Sequence, residues 1–263
     1  FGLQALENLS GGSRNIAIGN LSLDGSAGSE NDNLAVGYAA LGGSNSGGNQ
    51  NVAIGNYSLD ANTSGDYNIG MGYNALTANT TGLRNIAIGV GALDAPDLED
   101  DNLAIGYDAL GGSIAGGEYN VAIGNYTLDA LTSGDYNVAV GYNAMTANLS
   151  GGYNTAIGYG ALDAATADHD NVAIGYGAMG GPVNGGYGNT ATGTYSLDAL
   201  TSGDYNSAHG IGALGSVTTG SYNTGIGSNS TTLTTGTYNT LIGYSADPSA
   251  NSGTNQTVIG SNA

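Results

Sequence analysis

The sequence predicts an all-β protein, a parallel β-solenoid (β-roll) of about fifteen rungs, each 16–18 residues long. Three observations predict it. A pentad of the form Asn-Val-Ala-Ile-Gly returns at near-constant spacing along the 263 residues. Within the pentad, apolar and small side chains alternate with the period of two that marks a strand. Finally, the usual 17-residue spacing is too short for a strand, a crossover helix and a second strand, and helix periodicity is absent throughout.

The residues before the first pentad already fit the repeat, because Gly2, Ala5 and Leu6 match Gly72, Ala75 and Leu76 of a later copy. Pentads start at Asn15, Asn33, Asn51, Asn68, Asn85, Asn102, Asn120, Asn137, Asn154, Asn171, Asn189, Asn206, Asn223 and Asn239, with a degenerate one at Gln256. Val52 and Ile54 point one way and Ala53 and Gly55 the other. A second short segment follows, such as Gly72-Tyr73-Asn74-Ala75-Leu76 or Gly106-Tyr107-Asp108-Ala109-Leu110. A loop of Thr, Ser, Gly, Asp and Asn then closes the rung, with glycine supplying the positive φ of tight turns. A higher period of 69 residues, four rungs, relates Asn51 through Asp60 to Asn120 through Asp129, and Asp66 to Asp135 and Asp204. The expected organisation is one repeat array over 1–263, regular over 1–243 and closing in a degenerate terminal rung over 244–263. Since the chain opens in mid-repeat at Phe1, it reads as part of a longer array.

Composition alone points elsewhere. Leu, Ile, Val and Phe together make up 49 of 263 residues, and 21 Asp and Glu against 2 Lys and Arg give a net charge of −19. Such a chain falls within the usual definition of disorder. Stacking overrides composition by concentrating the few apolar residues. Val52, Ile54 and Leu59 recur in most rungs and are expected to form continuous inner columns. The opening asparagines, Asn51, Asn68, Asn85, Asn102, Asn120, Asn137, Asn154 and Asn171 among them, are expected to stack as a buried amide ladder. The alternative is a turn residue that tolerates left-handed φ. The small-residue column of Ala53, Ala87, Ala104, Ala122, Ala139 and Ala173 is smooth enough to pack closely. It is expected to meet another copy of the chain or the second segment of its own rung.

At the pentads and the following Gly-Tyr-Asn-Ala-Leu, the sequence resembles the head repeats of trimeric autotransporter adhesins, the YadA-like β-roll. It is also similar to the longer repeats of phage tail-fibre proteins and large bacterial surface proteins. The closing Ala246-Asp247-Pro248 and Asn255 to Gly260 are similar to the ends of such arrays. The resemblance covers nearly the whole chain and implies a homotrimer built around a common axis.

Several functions are excluded or weakened by charge and composition. Arg14 and Arg84 are the only basic side chains besides two histidines, so nucleic-acid and anionic-membrane binding are not expected. No apolar run is long enough to cross a bilayer as a helix. Without cysteine there is no thiol catalysis, thiolate metal site or disulfide. His169 and His209 lie in no triad or zinc spacing. His209 takes the place of Ile in its pentad, and Thr192 takes the same place one rung earlier, so a polar patch with a satisfied histidine is expected in the inner column. The acidic loops Asp97, Glu99, Asp100, Asp101 and Asp168, Asp170 form a candidate Ca²⁺ edge, weighed against a merely solvated one. Carboxylate pairs such as Asp60 and Asp66 recur with their block and read as scaffold, not as a glycosidase pair. The threonines, lying mainly in loops, do not form the flat array an ice-binding face needs. Tyr67, Tyr119, Tyr136, Tyr153, Tyr205, Tyr222 and Tyr238 each precede a pentad; such a column packs over a turn or binds sugars.

The function expected from these features is non-enzymatic. The chain reads as a fibre segment on a cell or virion surface that supplies reach, rigidity and adhesion, with itself and a host glycan or protein receptor as partners. A self-assembling surface filament subunit without its own receptor is the alternative. No cofactor is expected beyond Ca²⁺.

Overall fold

The computed structural model describes residues 1–8, 11–25, 30–43, 48–95, 98–112, 116–230 and 232–261. They form two compact units, Phe1–Asp135 and Tyr136–Ala263. The first unit holds β1 (Ile16–Ile18), β2 (Leu34–Val36), β3 (Val52–Ile54), β4 (Ile69–Met71), β5 (Ile86–Ile88), β6 (Leu103–Ile105) and β7 (Val121–Ile123). The second holds β8 (Val138–Val140), β9 (Thr155–Ile157), β10 (Val172–Ile174), β11 (Thr190–Thr192), β12 (Ser207–His209), β13 (Thr224–Ile226), β14 (Thr240–Ile242) and β15 (Thr257–Ile259). Each strand begins one residue after a pentad asparagine or Gln256. Within each unit every strand pairs in parallel with the next, and pentad position meets pentad position, as Val52 meets Ile69 and Ala156 meets Ala173. No helix occurs among the described residues. The protein is a parallel β-solenoid.

The faces of the strand are the reverse of the expected ones. Ala53 is fully buried, whereas Val52 and Ile54 are half-exposed on the outside. The reason is space. A rung of about seventeen residues returns so soon that strand and second segment lie almost in contact, and only a small side chain fits between them. At Gly70 of β4 an added Cβ would stand 2.5 Å from Ser58 Oγ and 3.4 Å from Leu59 Cγ. The large inner side chains come from the second segment instead: Leu59, Leu76, Leu93, Leu110, Leu128, Met145, Leu162, Met179, Leu197 and Leu214 are all buried. Near the end of the chain the inward strand residue is itself large, and Leu241 is buried in the place of alanine. In β1 to β13 a small strand residue faces the second segment, which keeps the core filled.

The second segment is not a strand. It turns by alternating left-handed residues, and these are not mainly glycines. Tyr57 (φ 60°) and Leu59 (φ 53°) take the left-handed region, as does Tyr67 (φ 61°) just before the next pentad, and the equivalent positions do so in rung after rung. An L-residue costs about 1–2 kcal/mol there. Hydrogen bonds to the neighbouring rungs offset the cost: Tyr57 N donates to Tyr38 O (2.9 Å), Leu59 N to Ala75 O (3.0 Å) and Tyr67 N to Asn49 O (3.1 Å). Glycine is required at the end of the pentad. Gly55 has φ 136°, and a Cβ there would lie 2.2 Å from Gly72 O of the next rung.

After the leucine column comes a column of half-buried aspartates that skips rungs. Asp60, Asp94, Asp129, Asp163 and Asp198 follow their leucines, while Thr77, Gly111, Thr146 and Gly180 occupy the rungs between. In-register stacking puts identical residues about 5 Å apart. Skipping a rung moves like charges to about 10 Å, near one Debye length at ordinary ionic strength.

Candidate functional site

The asparagine ladder is buried, with Asn51, Asn68, Asn85, Asn120, Asn137 and Asn171 fully enclosed and Asn102 and Asn154 nearly so. Its bonds run mainly to backbone. Asn51 Oδ1 accepts from Asn68 N (2.8 Å), and Asn51 Nδ2 donates to Gly65 O (2.8 Å). The same pair of bonds recurs from Asn68 to Asn85 and Gly82, and from Asn154 to Asn171 and Asp168. Direct amide-to-amide bonds join them at Asn154–Asn137 and Asn189–Asn171 (both 3.2 Å). None of these asparagines has positive φ; the residue before each one does. The ladder is thus a structural spine and not a set of tolerated turn residues.

The aspartates repeated with the block also serve the backbone. Asp66 Oδ1 accepts from Asn49 N (2.6 Å), Asp135 Oδ1 from Glu118 N (2.9 Å) and Asp204 Oδ1 from Tyr187 N (3.0 Å). The acids of the candidate calcium edge are held by partners of their own. Asp97 lies outside the described residues. Glu99 is buried and accepts from Gly116 N (2.8 Å) and Leu98 N (3.0 Å). Asp100 accepts from Leu83 N (2.7 Å), and Asp101 is held by Arg84, which pulls its carboxyl below the ordinary range. Asp168 is buried under the next loop and accepts from Gly186 N (2.6 Å), while Asp170 faces the Tyr187 hydroxyl. Among the described residues, no three carboxylate or imidazole groups gather in a metal-holding arrangement. Two of these acids belong to a pattern that is visible in the sequence only once the rungs are aligned. Three residues before the pentad asparagine every rung has glycine, except that Glu30, Glu99 and Asp168 stand there once per 69-residue block. All three are buried, and among the described residues both oxygens of Glu30 and Oδ2 of Asp168 have no hydrogen-bond partner.

The expected interface column is internal. Ala53, Ala87, Ala104, Ala122, Ala139 and Ala173 are all completely buried against their own rungs, so the second of the two expectations for that face holds. The exposed face is the opposite one. Along it run two columns of strand side chains, such as Ile16 and Ile18, Val52 and Ile54, or Ile86 and Ile88, with Ile18 45% and Ile174 39% exposed. His209 is the only ionisable side chain at these outward strand positions. It sits on this face and not in an inner column, because alternation puts the fourth pentad residue outward. Thr192 Oγ1 meets its Nδ1 at 2.7 Å and Ser207 Oγ its Nε2 at 3.1 Å. His169 Nδ1 accepts from Gly152 N (3.1 Å).

Tyrosines border the face on both sides. One column precedes the pentads and includes the expected Tyr67, Tyr119, Tyr136, Tyr153, Tyr205, Tyr222 and Tyr238; the other follows the pentad glycine and includes Tyr73, Tyr142, Tyr159 and Tyr176. All are exposed. Rings at the same repeat position stack, with centroids 5.4 Å apart for Tyr142–Tyr159, 5.1 Å for Tyr159–Tyr176, 5.2 Å for Tyr205–Tyr222 and 4.9 Å for Tyr222–Tyr238. Rings displaced by one position meet edge to face, as in Tyr38–Tyr57 and Tyr176–Tyr195. Stacked rings cover each other's faces and show their edges to solvent, so they leave little π surface for a sugar to lie on. The two arginines occupy the first of these columns, each against an aspartate one rung on: Arg14 Nη2 lies 2.6 Å from Asp32 and Arg84 Nη2 2.7 Å from Asp101. A hollow in the second unit, lined by Asp247, Pro248, Ser249, Gln256, Thr257 and Val258, brings one carboxylate together with amide and hydroxyl groups and no imidazole.

In comparison with known proteins, the chain matches no family model, no curated protein and no solved structure.

Proposed function

We propose that the chain is a non-enzymatic segment of an extracellular fibre, on a cell or virion surface, in which copies pack together through the outward strand face. The observation that carries this reading is a broad face of Val, Ile, Leu and Tyr, nearly free of charge, on a chain of net charge −19. Copies so acidic can approach closely only where carboxylates are missing, and an apolar face rimmed by tyrosine has the make-up of an interface core. A second copy also offers the same spacing between rungs, so its side-chain rows fit between these. Three copies is the number that the resemblance to adhesin heads implies. Such a bundle would give the fibre reach and rigidity and would carry adhesion to a host glycan or protein.

The test is the native mass of the chain across a salt series, beside a variant with Ile54→Glu, Ile88→Glu and Ile105→Glu. We expect a wild-type oligomer that tightens as salt screens the charge, and a variant that is monomeric with an unchanged β-sheet spectrum. A wild-type chain that stays monomeric and folded at every salt concentration overturns the packing. The filament subunit without its own receptor is the second reading, favoured by the self-covered tyrosine faces. It predicts assembly with no binding to cells or glycans.

A further inference from the structure

We propose that the exposed tyrosine columns are sites of oxidative cross-linking, where one-electron oxidation joins the rings of successive rungs as dityrosine and staples one turn of the solenoid to the next. The chain has 18 Tyr and neither Cys nor Trp. It therefore has no disulfide, and no thiol or indole to drain a radical away from a phenol. Of its methionines, Met145 and Met179 are buried and Met71 is exposed.

Geometry supplies the rest. Tyr142, Tyr159 and Tyr176 form one stack and Tyr205, Tyr222 and Tyr238 another, with planes within 3° to 19° of parallel and centroids 4.9 to 5.4 Å apart. Tyr136 and Tyr153 add a further stacked pair at 5.1 Å. The backbones beneath are fixed by bonds between rungs, such as Gly158 N to Val140 O and Gly175 N to Ile157 O (both 2.8 Å). The rings themselves are about half exposed, open to an oxidant.

The co-reactant is hydrogen peroxide used by a haem peroxidase. The enzyme takes one electron and one proton from each of two phenols. The two phenoxyl radicals pair their unpaired electrons in a new bond between ring carbons ortho to the oxygens. The hydrogen on each joined carbon then moves to its own oxygen, restoring both phenols, and the peroxide leaves as two molecules of water. Each link costs the protein one pair of hydrogen atoms.

Two tyrosines serve as internal controls. Tyr67 and Tyr244 are as exposed as the stacked ones, but the matching positions one rung away hold Gln50 and Arg84, and Ser228 and Ser261. The dilute 263-residue chain would be treated with peroxidase and peroxide, cleaved at leucines, which separate all of these tyrosines, and mapped by mass. We expect Tyr142–Tyr159, Tyr159–Tyr176, Tyr205–Tyr222 and Tyr222–Tyr238 links to exceed any link to Tyr67 or Tyr244 by at least about tenfold, since neighbours on one scaffold have a high effective concentration. The linked chain should melt about 5 °C or more above the untreated one, as expected from closing a short loop in the unfolded state. Tyr159→Phe keeps a ring in the stack but should remove both links of its column and spare those at Tyr222. Links formed in proportion to exposure overturn the proposal, as do links only between chains that vanish on dilution. So does oxidation confined to oxygen uptake at Met71.

Discussion

The outward face changes along the chain far more than the inward face does. In β3 to β7 both outward positions are Val, Ile, Leu or Met, whereas in β11 to β15 the first is Thr or Ser and the second includes Thr192 and His209. The inward position is Ala or Gly in every strand of both stretches except β14 and β15. The inward residue answers to its own rung, which has room for one small side chain. The outward residue has no such limit from its own rung, and its composition is free to vary. A column that stays constant records internal packing, and one that drifts records an external surface.

The largest effect expected is on the inward face, and it should be equal in the two stretches. Ala122→Glu in β7 and Ala191→Glu in β11 each bury an unpartnered carboxylate against leucine, costing about 4 kcal/mol or more, enough to unfold the chain in urea titrations. If Ala122→Glu folds normally and only changes the oligomeric state, the inward assignment of that column is wrong. Next in size is a shift of register. One alanine inserted between Val121 and Ala122 exchanges the two faces beyond it, whereas one inserted after Ser133 lengthens a loop. The first should lower the melting temperature far more, and equal losses would break the link between face and packing. Smaller still is the contrast on the outward face. Val121→Glu should weaken self-association in sedimentation, while Thr224→Glu, already in a polar stretch, should leave it nearly unchanged; the reverse order would mean that the apolar stretch is not the contact surface.

The smallest effect is on pH dependence. Burial raises the pKa of Asp60, Asp94, Asp129, Asp163 and Asp198 above the ordinary aspartate value, with Asp108 adding to the rise at Asp94 and Asp129. The folded chain therefore binds protons more readily than the unfolded one. The stability linked to these groups is fully present below the unfolded pKa and is lost as pH rises through the folded values. Asp32 and Asp101, lowered by Arg14 and Arg84, act in the opposite sense from exposed positions. At constant ionic strength the melting temperature should rise as pH falls from about 7 to about 4.5, and Asp60→Asn with Asp94→Asn should flatten that slope. A melting temperature that falls over the same range would contradict the burial of the aspartate column.

The number, parallel pairing and register of the strands were legible because the pentad repeats, and repetition at one short period leaves few ways to stack. Which face turns inward was not legible from alternation alone, because a large aliphatic side chain is not obliged to be inside. The decisive signal lay one residue away. Asn51 and Val52 are neighbours in an extended chain and point to opposite sides, so a buried asparagine ladder already implies that Ala53 is inside and Val52 outside. Left-handed Leu59 and Tyr57 gave no local signal, since that conformation is imposed by hydrogen bonds to the rungs on either side. The separation of Glu99, Asp100 and Asp101 was not legible either: they are neighbours along the sequence, but the turn sends them to the interior, to the preceding backbone and to an arginine.

The buried acids at Glu30, Glu99 and Asp168 affect how the turns find their places. A stack of near-identical turns is degenerate, because any turn can dock on any other with almost the same contacts. A turn docked one, two or three places away from its own would bring a carboxylate against a position where the next turn leaves no space: at Gly65, a single added carbon would lie 2.4 Å from Gly82 O. Only a slip by a whole block of four restores the match. The acids act as addresses on an otherwise unmarked lattice. They turn many nearly equal misdocked states into a few and leave block-length slippage as the error to which folding and assembly of this chain remain most exposed.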